Sequence, residues 1–349
     1  MTTWMATTTG KPAMPMSAND TASLIAERLR AAKSILVLAH VTPDADALGS
    51  ALALGMALTS LQLDQDVVVS FGDEPMQVPR TLATLPGQEL LADPATIASR
   101  DGAFDVSISC DVSTIDRLGA NHAAFSAAAT TIVIDHHVSN IGFGDINFID
   151  PSAAANVVLT LRVIDALGAE LTAPVAHALY AGLITDTGNF KFSATNTDAH
   201  VMAARLLETG LRHDVVARQM YDDEPFACLQ LLGQCLSRAV LDSTALQGAG
   251  FVWTTVTAAD REALGLSLDA GERVIDTIRI ASEAEVACVF KEDDTGVWKV
   301  SLRSKGAVDV GAVAAVLGGG GHKFAAGATL GDDVALALQD VRRALDAVR

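Results

Sequence analysis

Four separate stretches of this sequence group acids and imidazoles in ways that could do chemistry. The first is His40-Val41-Thr42-Pro43-Asp44-Ala45-Asp46, which holds one imidazole and two carboxylates. A turn fixed by Pro43 can aim those side chains at a common point. Hard oxygen donors mixed with imidazole suit Mn²⁺ or Mg²⁺, and less often Zn²⁺. The second is Asp111, the third is Asp135-His136-His137, and the fourth is Asp186 within Gly182-Leu183-Ile184-Thr185-Asp186-Thr187-Gly188. The chain has 8 histidines in all, so an adjacent pair behind an aspartate stands out. Each group also has a plainer reading by itself: Asp44 or Asp46 as a helix cap, and the others as turn residues.

The elements that must carry these groups weaken the plain readings. Residues 35–39, 104–110 and 131–134 are apolar runs that read as buried strands, and they end at His40, Asp111 and Asp135. A further strand is expected over 66–71, with helical patterns over 20–33, 47–61, 153–167, 174–184 and 197–209. Strands alternating with helices predict an α/β fold, a mostly parallel doubly wound sheet covered on both faces. Ligands of such sheets bind beyond the carboxyl ends of the strands, so three clusters at three strand ends would converge. Asp186 closes a helical pattern, where the helix dipole disfavours a carboxylate. A bound cation offsets that cost.

A chain of 349 residues, half of them hydrophobic, suits two domains. The expected division is a disordered tail over 1–18, a catalytic domain over 19–210, a helical linker over 211–245 and a smaller mixed α/β domain over 246–349. In that last part, strands are expected at 251–257, 286–291 and 297–303. Helices are expected near 271–280, 308–316 and 332–348, with a glycine cluster at 318–321 between the last two. The formal net charge of -18, from 42 acidic against 24 basic residues, argues against a track for long nucleic acid. A short substrate gripped by a few placed cations fits better. Cys110, Cys228, Cys235 and Cys288 make no CxxC pair and read as small buried hydrophobes in a reducing compartment. The Thr-rich opening lacks a basic start followed by an apolar run, and no apolar stretch is long enough to span a membrane. A soluble, cytoplasmic protein is therefore expected, with no membrane partner.

Together, His40-x-x-Pro43-Asp44-x-Asp46, Asp111, Asp135-His136-His137 and Asp186 resemble the four motifs of the DHH phosphoesterase family. In the second module, Gly318-Gly319-Gly320-Gly321-His322 with Ala325-Ala326-Gly327 is similar to the glycine-rich signature of the DHH-associated C-terminal domain. Ser301-Leu302-Arg303-Ser304 resembles the arginine-bearing strand before it. The resemblance implies two divalent ions, Mn²⁺ first with Mg²⁺ or Co²⁺ as options. His40, Asp44 and Asp111 would hold one, and Asp46, His136 and Asp186 the other, with Asp111 shared. A water activated by both metals would then attack phosphorus. Asp135 would orient an imidazole, and His137 would face the substrate phosphate. Arg303, Gly319, Gly320, Gly321 and His322 would bind substrate, with Lys305 a weaker candidate, and the two modules would close over it.

Within the family, the glycine-rich run weakens a pyrophosphatase reading, while length and charge weaken a RecJ-like single-strand exonuclease. The remaining group is the bifunctional nanoRNase/pAp phosphatases, which act on very short RNA, pAp and, in some bacteria, cyclic di-AMP or pApA. The expected activity is hydrolysis of pApA-like dinucleotides to mononucleotides, with pAp dephosphorylation as a second activity. The partner implied is a mono- or dinucleotide, with a homodimer as the expected assembly. A nucleotide sensor without turnover is the reading from another class.

Overall fold

The computed structural model describes residues 17–348 other than His322, and only the backbone of Asp269 and Glu272. It divides into two compact units between Asp223 and Glu224.

The first unit is built on five strands: β1 (Ser34–Ala39), β2 (Asp66–Phe71), β3 (Val106–Cys110), β4 (Thr130–Asp135) and β5 (Ile146–Ile149). They lie in the order β2-β1-β3-β4-β5, and every pairing is parallel. Side chains alternate across the sheet. Ile35, Val37 and Ala39 enter one core with the long helices, while Leu36 and Leu38 enter a second on the opposite face. Both faces are thus dry, as the near-continuous apolar runs require. The chain leaves β1 for β2 on one side and returns to β3 on the other. The crevice at that reversal, beyond the carboxyl ends of β1 and β3, is where such sheets take ligands.

Two helices bring the remaining acids to that crevice. Helix Ala45–Ser60 starts within the first cluster, capped by Asp44, whose Oδ1 accepts from the backbone N–H of Asp46 and Ala47 at 3.0 Å each. It crosses helix Ala173–Asp186 at glycine. A Cβ on Gly49 would stand 2.5 Å from the carbonyl oxygen of Ala178, and one on Gly182 would stand 2.9 Å from the Cα of Asp46. Only the missing side chains allow this approach. Asp186, one turn beyond Gly182, is thereby set beside Asp46.

The second unit carries a mixed sheet of β6 (Val240–Asp242), β7 (Phe251–Val256), β8 (Val286–Glu292), β9 (Trp298–Ser304), β10 (Gly320–Gly321) and β11 (Ala325–Thr329). Its order is β10-β11-β9-β8-β7-β6, with β7 and β8 parallel and the other pairs antiparallel. Phe251, Val286, Cys288 and Phe290 pack on one face, while Val252, Val256, Ala287 and Val289 pack on the other.

Several boundaries differ from the sequence expectation. The first helix begins at Ala18, inside the expected tail, because the Ser17 hydroxyl accepts from the Asp20 N–H and caps it; the rest of that tail, residues 1–16, lies outside the described residues. The stretch expected as a linker, 211–245, is shared between the units. Val216 of helix His213–Tyr221 is buried in the first core, whereas Leu231 and Cys235 of helix Phe226–Ser237 are buried in the second. All four cysteines are free and buried. Among the described residues no helix is long and apolar enough to cross a membrane.

Candidate metal centre

The four clusters meet. His40 follows β1, Asp111 follows β3, and His136 and His137 follow β4, all at the carboxyl edge of the sheet. Ligand atoms of His40, Asp44 and Asp111 lie within 4.8 Å of one another, as do those of Asp46, His136 and Asp186. Asp111 also links the two groups, with its Oδ1 3.3 Å from His136 Nε2. His136 Nε2 lies 3.3 Å from Asp186 and 3.8 Å from Asp46. A third grouping, Asp111, His136 and His137, meets the same distance. There, however, His137 Nδ1 is 2.7 Å from Asp135 Oδ1 and is committed to that hydrogen bond. Burial favours neutral His137, yet that hydrogen bond and the Asp111 and Asp135 carboxylates raise it above the ordinary imidazole value, which favours a proton on Nε2 as well.

The capping and ligand readings of the first cluster both hold. While Asp44 Oδ1 caps its helix, Asp44 Oδ2 lies 3.8 Å from His40 Nε2. Asp46 is wholly buried and accepts from the backbone N–H of Asn156 at 2.5 Å and Val157 at 2.9 Å. Those groups open helix Asn156–Leu167, which lacks a side-chain cap of its own, so its positive end faces the carboxylate.

Strain marks the same place. Asp111 has φ of 61° and Thr42 has φ of 51°, both in the left-handed region. A β-branched residue there is a real outlier. Asp111 is held by its N–H donating to Ile134 O at 2.9 Å, and Thr42 by its N–H donating to Asp73 Oδ2 at 2.7 Å.

The charge is unbalanced. Burial and the neighbouring Asp111 carboxylate push Asp46 up to about 8, against the pull of His136. Burial, then Asp46, raises Asp186 well above the ordinary carboxylate range. Burial favours neutral His136, yet Asp111, Asp46 and Asp186 outweigh it and push that imidazole up to about 11. Protons here stand in for positive charge that the protein does not supply. Asp111 Oδ1 is buried and accepts no hydrogen bond of ordinary geometry, an orphan that a cation would satisfy. These donors fit divalent metal: carboxylate oxygens and imidazoles, in two sets joined by one acid.

Supporting residues escaped the sequence reading. Asn140 is buried and donates to Asp135 Oδ2 at 2.6 Å and to Val112 O at 2.9 Å, tying the chain after β4 to the chain after Asp111. Asp135 in turn is held below its ordinary range despite burial, chiefly by its hydrogen bond with His137. Arg117 reaches His40 from the segment Ile115–Asn121. Its one signal is isolation, since no other Lys or Arg occurs between Arg100 and Arg162.

In the second unit, Arg303 lies on β9 opposite Ala287 and Ala325, half-buried, with Nη1 donating to Leu302 O at 3.1 Å. Gly319, Gly320 and Gly321 are exposed, at the edge strand β10. Two of them answer a packing need that a purely anion-binding reading leaves out: a Cβ on Gly319 would stand 2.1 Å from Gly327 O, and one on Gly321 2.5 Å from Ala326 Cα. Lys305 directs its ammonium to Ala281 O. His322 lies outside the described residues.

Comparison with known proteins agrees with this geometry. Residues 34–183 match the model of the DHH family, N-terminal domain, and residues 261–349 match the DHHA1 domain. The chain is 35% identical over 328 residues, 93% of each chain, to the bifunctional oligoribonuclease and PAP phosphatase NrnA of Thermus thermophilus. It is 24% identical to the Bacillus subtilis protein of the same name, covering 85% of this chain and 89% of that one. A crystal structure of an exopolyphosphatase-related protein from Bacteroides fragilis shares the fold, with a TM-score of 0.83, 24% identity, and coverage of 94% of this chain and 96% of that one.

Proposed function

Because the chain belongs to the DHH family and carries its DHHA1 domain, and is therefore a hydrolase, we propose that it cleaves phosphoesters of small nucleotides. Its substrates are pApA and other very short oligoribonucleotides, with pAp converted to AMP and phosphate as a second activity and cyclic di-AMP as a further substrate. The observation that carries this reading is the pair of ligand sets joined at Asp111. The relatives named as acting on oligoribonucleotides and PAP support the substrate class.

The roles follow from the chemistry of each group. His40, Asp44 and Asp111 hold one divalent ion, and Asp46, His136 and Asp186 the other, with Mn²⁺ the first choice and Mg²⁺ or Co²⁺ able to serve. Such ions, when bound, acidify water near neutral pH and neutralise charge on the phosphoryl oxygens. Asp135, fixed by Asn140, accepts the Nδ1 proton of His137 and favours its imidazolium form, whose Nε2–H can donate to a substrate phosphate. In the second unit, Arg303 offers a planar guanidinium suited to phosphate, and the exposed glycines offer N–H groups without side chains in the way. The acidic balance favours a substrate with few phosphates over a long strand.

The test is a chromatographic panel in Mn²⁺ containing pAp, pApA, cyclic di-AMP, pyrophosphate and a single strand of many nucleotides. Cleavage of pApA and pAp ahead of the rest is expected. Preference for the long strand or for pyrophosphate would overturn the substrate assignment, and nucleotide binding without product would make the protein a sensor.

A further inference from the structure

Arg117 stands beside the candidate centre with its backbone locked in place. The Val41 N–H donates to Arg117 O at 2.8 Å. Gly119, with φ of 53°, leaves so little room that a Cβ there would lie 2.4 Å from Val41 Cγ1 and 2.6 Å from Gly72 O. A Cβ on Gly72 would lie 1.9 Å from Leu118 O. Three chain segments therefore interlock around residue 117, and the guanidinium departs from a fixed point.

The two contacts made by His40 Nδ1, one with Arg117 and one with Val41, are chemically incompatible. Arg117 Nη2 lies 2.9 Å from His40 Nδ1, and that same nitrogen lies 2.8 Å from Val41 O. Arginine only donates and a carbonyl only accepts. Nδ1 must be unprotonated to accept from Arg117 and protonated to donate to Val41, so one of the two contacts is given up in any state. A metal on His40 Nε2 takes that lone pair and leaves the proton on Nδ1, which then belongs to Val41 O. Arg117 is left with Val41 O at 3.4 Å, a poor second acceptor. Its side-chain partners among the described residues are His40 and Val41 only; no carboxylate pairs with it, although Asp44, Asp46, Asp111, Asp135 and Asp186 all line this centre.

We propose that Arg117 is a phosphate-binding residue of this site: it yields His40 Nδ1 to Val41 when the centre is loaded and turns its guanidinium onto the phosphate oxygens of the nucleotide. The inference rests on the phosphoesterase reading. Among the described residues Arg117 supplies the one guanidinium in contact with a centre otherwise made of acids and imidazoles, and a planar donor fork suits a phosphate better than any other side chain does.

The experiment uses the full chain loaded with Mn²⁺ and inorganic phosphate as the probe. Calorimetric phosphate affinity, metal content and KM are measured for wild type, Arg117→Gln and Arg117→Lys. Arg117→Gln is expected to keep its metal, weaken phosphate about tenfold or more, and raise KM by a similar factor, as loss of a charge-assisted contact requires. Arg117→Lys is expected to recover part of that loss. Phosphate affinity unchanged in Arg117→Gln would overturn the proposal. So would loss of metal with unchanged phosphate affinity in the loaded fraction, which would make Arg117 a prop for His40. A wild type that binds phosphate but cleaves no nucleotide would instead sink the phosphoesterase reading, leaving the Arg117 contact to be read from phosphate binding.

Discussion

Gly49 and Ala178 touch backbone to backbone: a Cβ at position 49 would stand 2.5 Å from the Ala178 carbonyl oxygen. That contact sets the spacing of helices Ala45–Ser60 and Ala173–Asp186, and hence of Asp46 and Asp186. Gly49→Ala gains about 1 kcal/mol in helix propensity but forces the helices apart, and overpacking costs about 1–3 kcal/mol. The expected outcome is a lower melting temperature together with weaker Mn²⁺ binding. Unchanged metal affinity would show that the helix crossing does not set the ligand distances.

Asp111 belongs to the His40 group and also approaches His136 of the other. Asp111→Asn preserves shape while removing the charge that both groups use. Turnover should fall further than the roughly 10–100-fold typical of losing an outer-sphere partner, and elemental analysis should show less metal per chain. Full metal occupancy in the variant would refute the shared role.

The convergence of three clusters was legible because buried parallel strands are continuous apolar runs. Their ends at His40, Asp111 and Asp135 need no finer signal. Asp186 was legible as the end of a helical pattern, and helix Ala173–Asp186 does end there. What stayed hidden depends on packing rather than pattern. Gly49 and Gly182 reveal their purpose only where two helices cross. Asn140 and Arg117 act from irregular segments with no periodicity to read. The short strands Ile146–Ile149 and Gly320–Gly321 carry too few side chains to show alternation. Helices His213–Tyr221 and Phe226–Ser237 follow one another in sequence, and only the cores they enter separate them.

Asp135 touches His137 and Asn140 but belongs to none of the ligand groups. Asp135→Asn would therefore spare the metal while losing the acceptor that holds the His137 Nδ1 proton. A fall in kcat of about 10–100-fold with near-normal metal content is expected. Metal lost in parallel with activity would place Asp135 among the ligands instead.

Arg303 lies on a strand of the second unit whose pairing is backbone-only at that position. Arg303→Ala should leave metal content and melting temperature close to wild type and raise KM for pApA about tenfold or more, the loss expected for a charge-assisted phosphate contact. An unchanged KM would remove Arg303 from the substrate site.

Stability should depend on pH differently with and without metal. In the metal-free protein, Asp46 is pushed up to about 8 and His136 up to about 11. Both therefore hold protons in the folded state at pH values where the unfolded chain releases them, above about 4 for a carboxylate and about 6.5 for an imidazole. Stability falls wherever the native state binds more protons than the unfolded one. The lowered Asp135 acts only in acid and adds no slope above pH 5. The metal-free melting temperature should thus decline steadily from pH 6 to 9. Metal needs the deprotonated ligands and replaces those protons, so the stabilisation on adding Mn²⁺ should grow over the same range. Thermal melts with chelator and with excess Mn²⁺ at each pH measure both slopes. A metal-free melting temperature that rises toward pH 9 would mean that Asp46 and His136 are not the crowded pair that the geometry makes them.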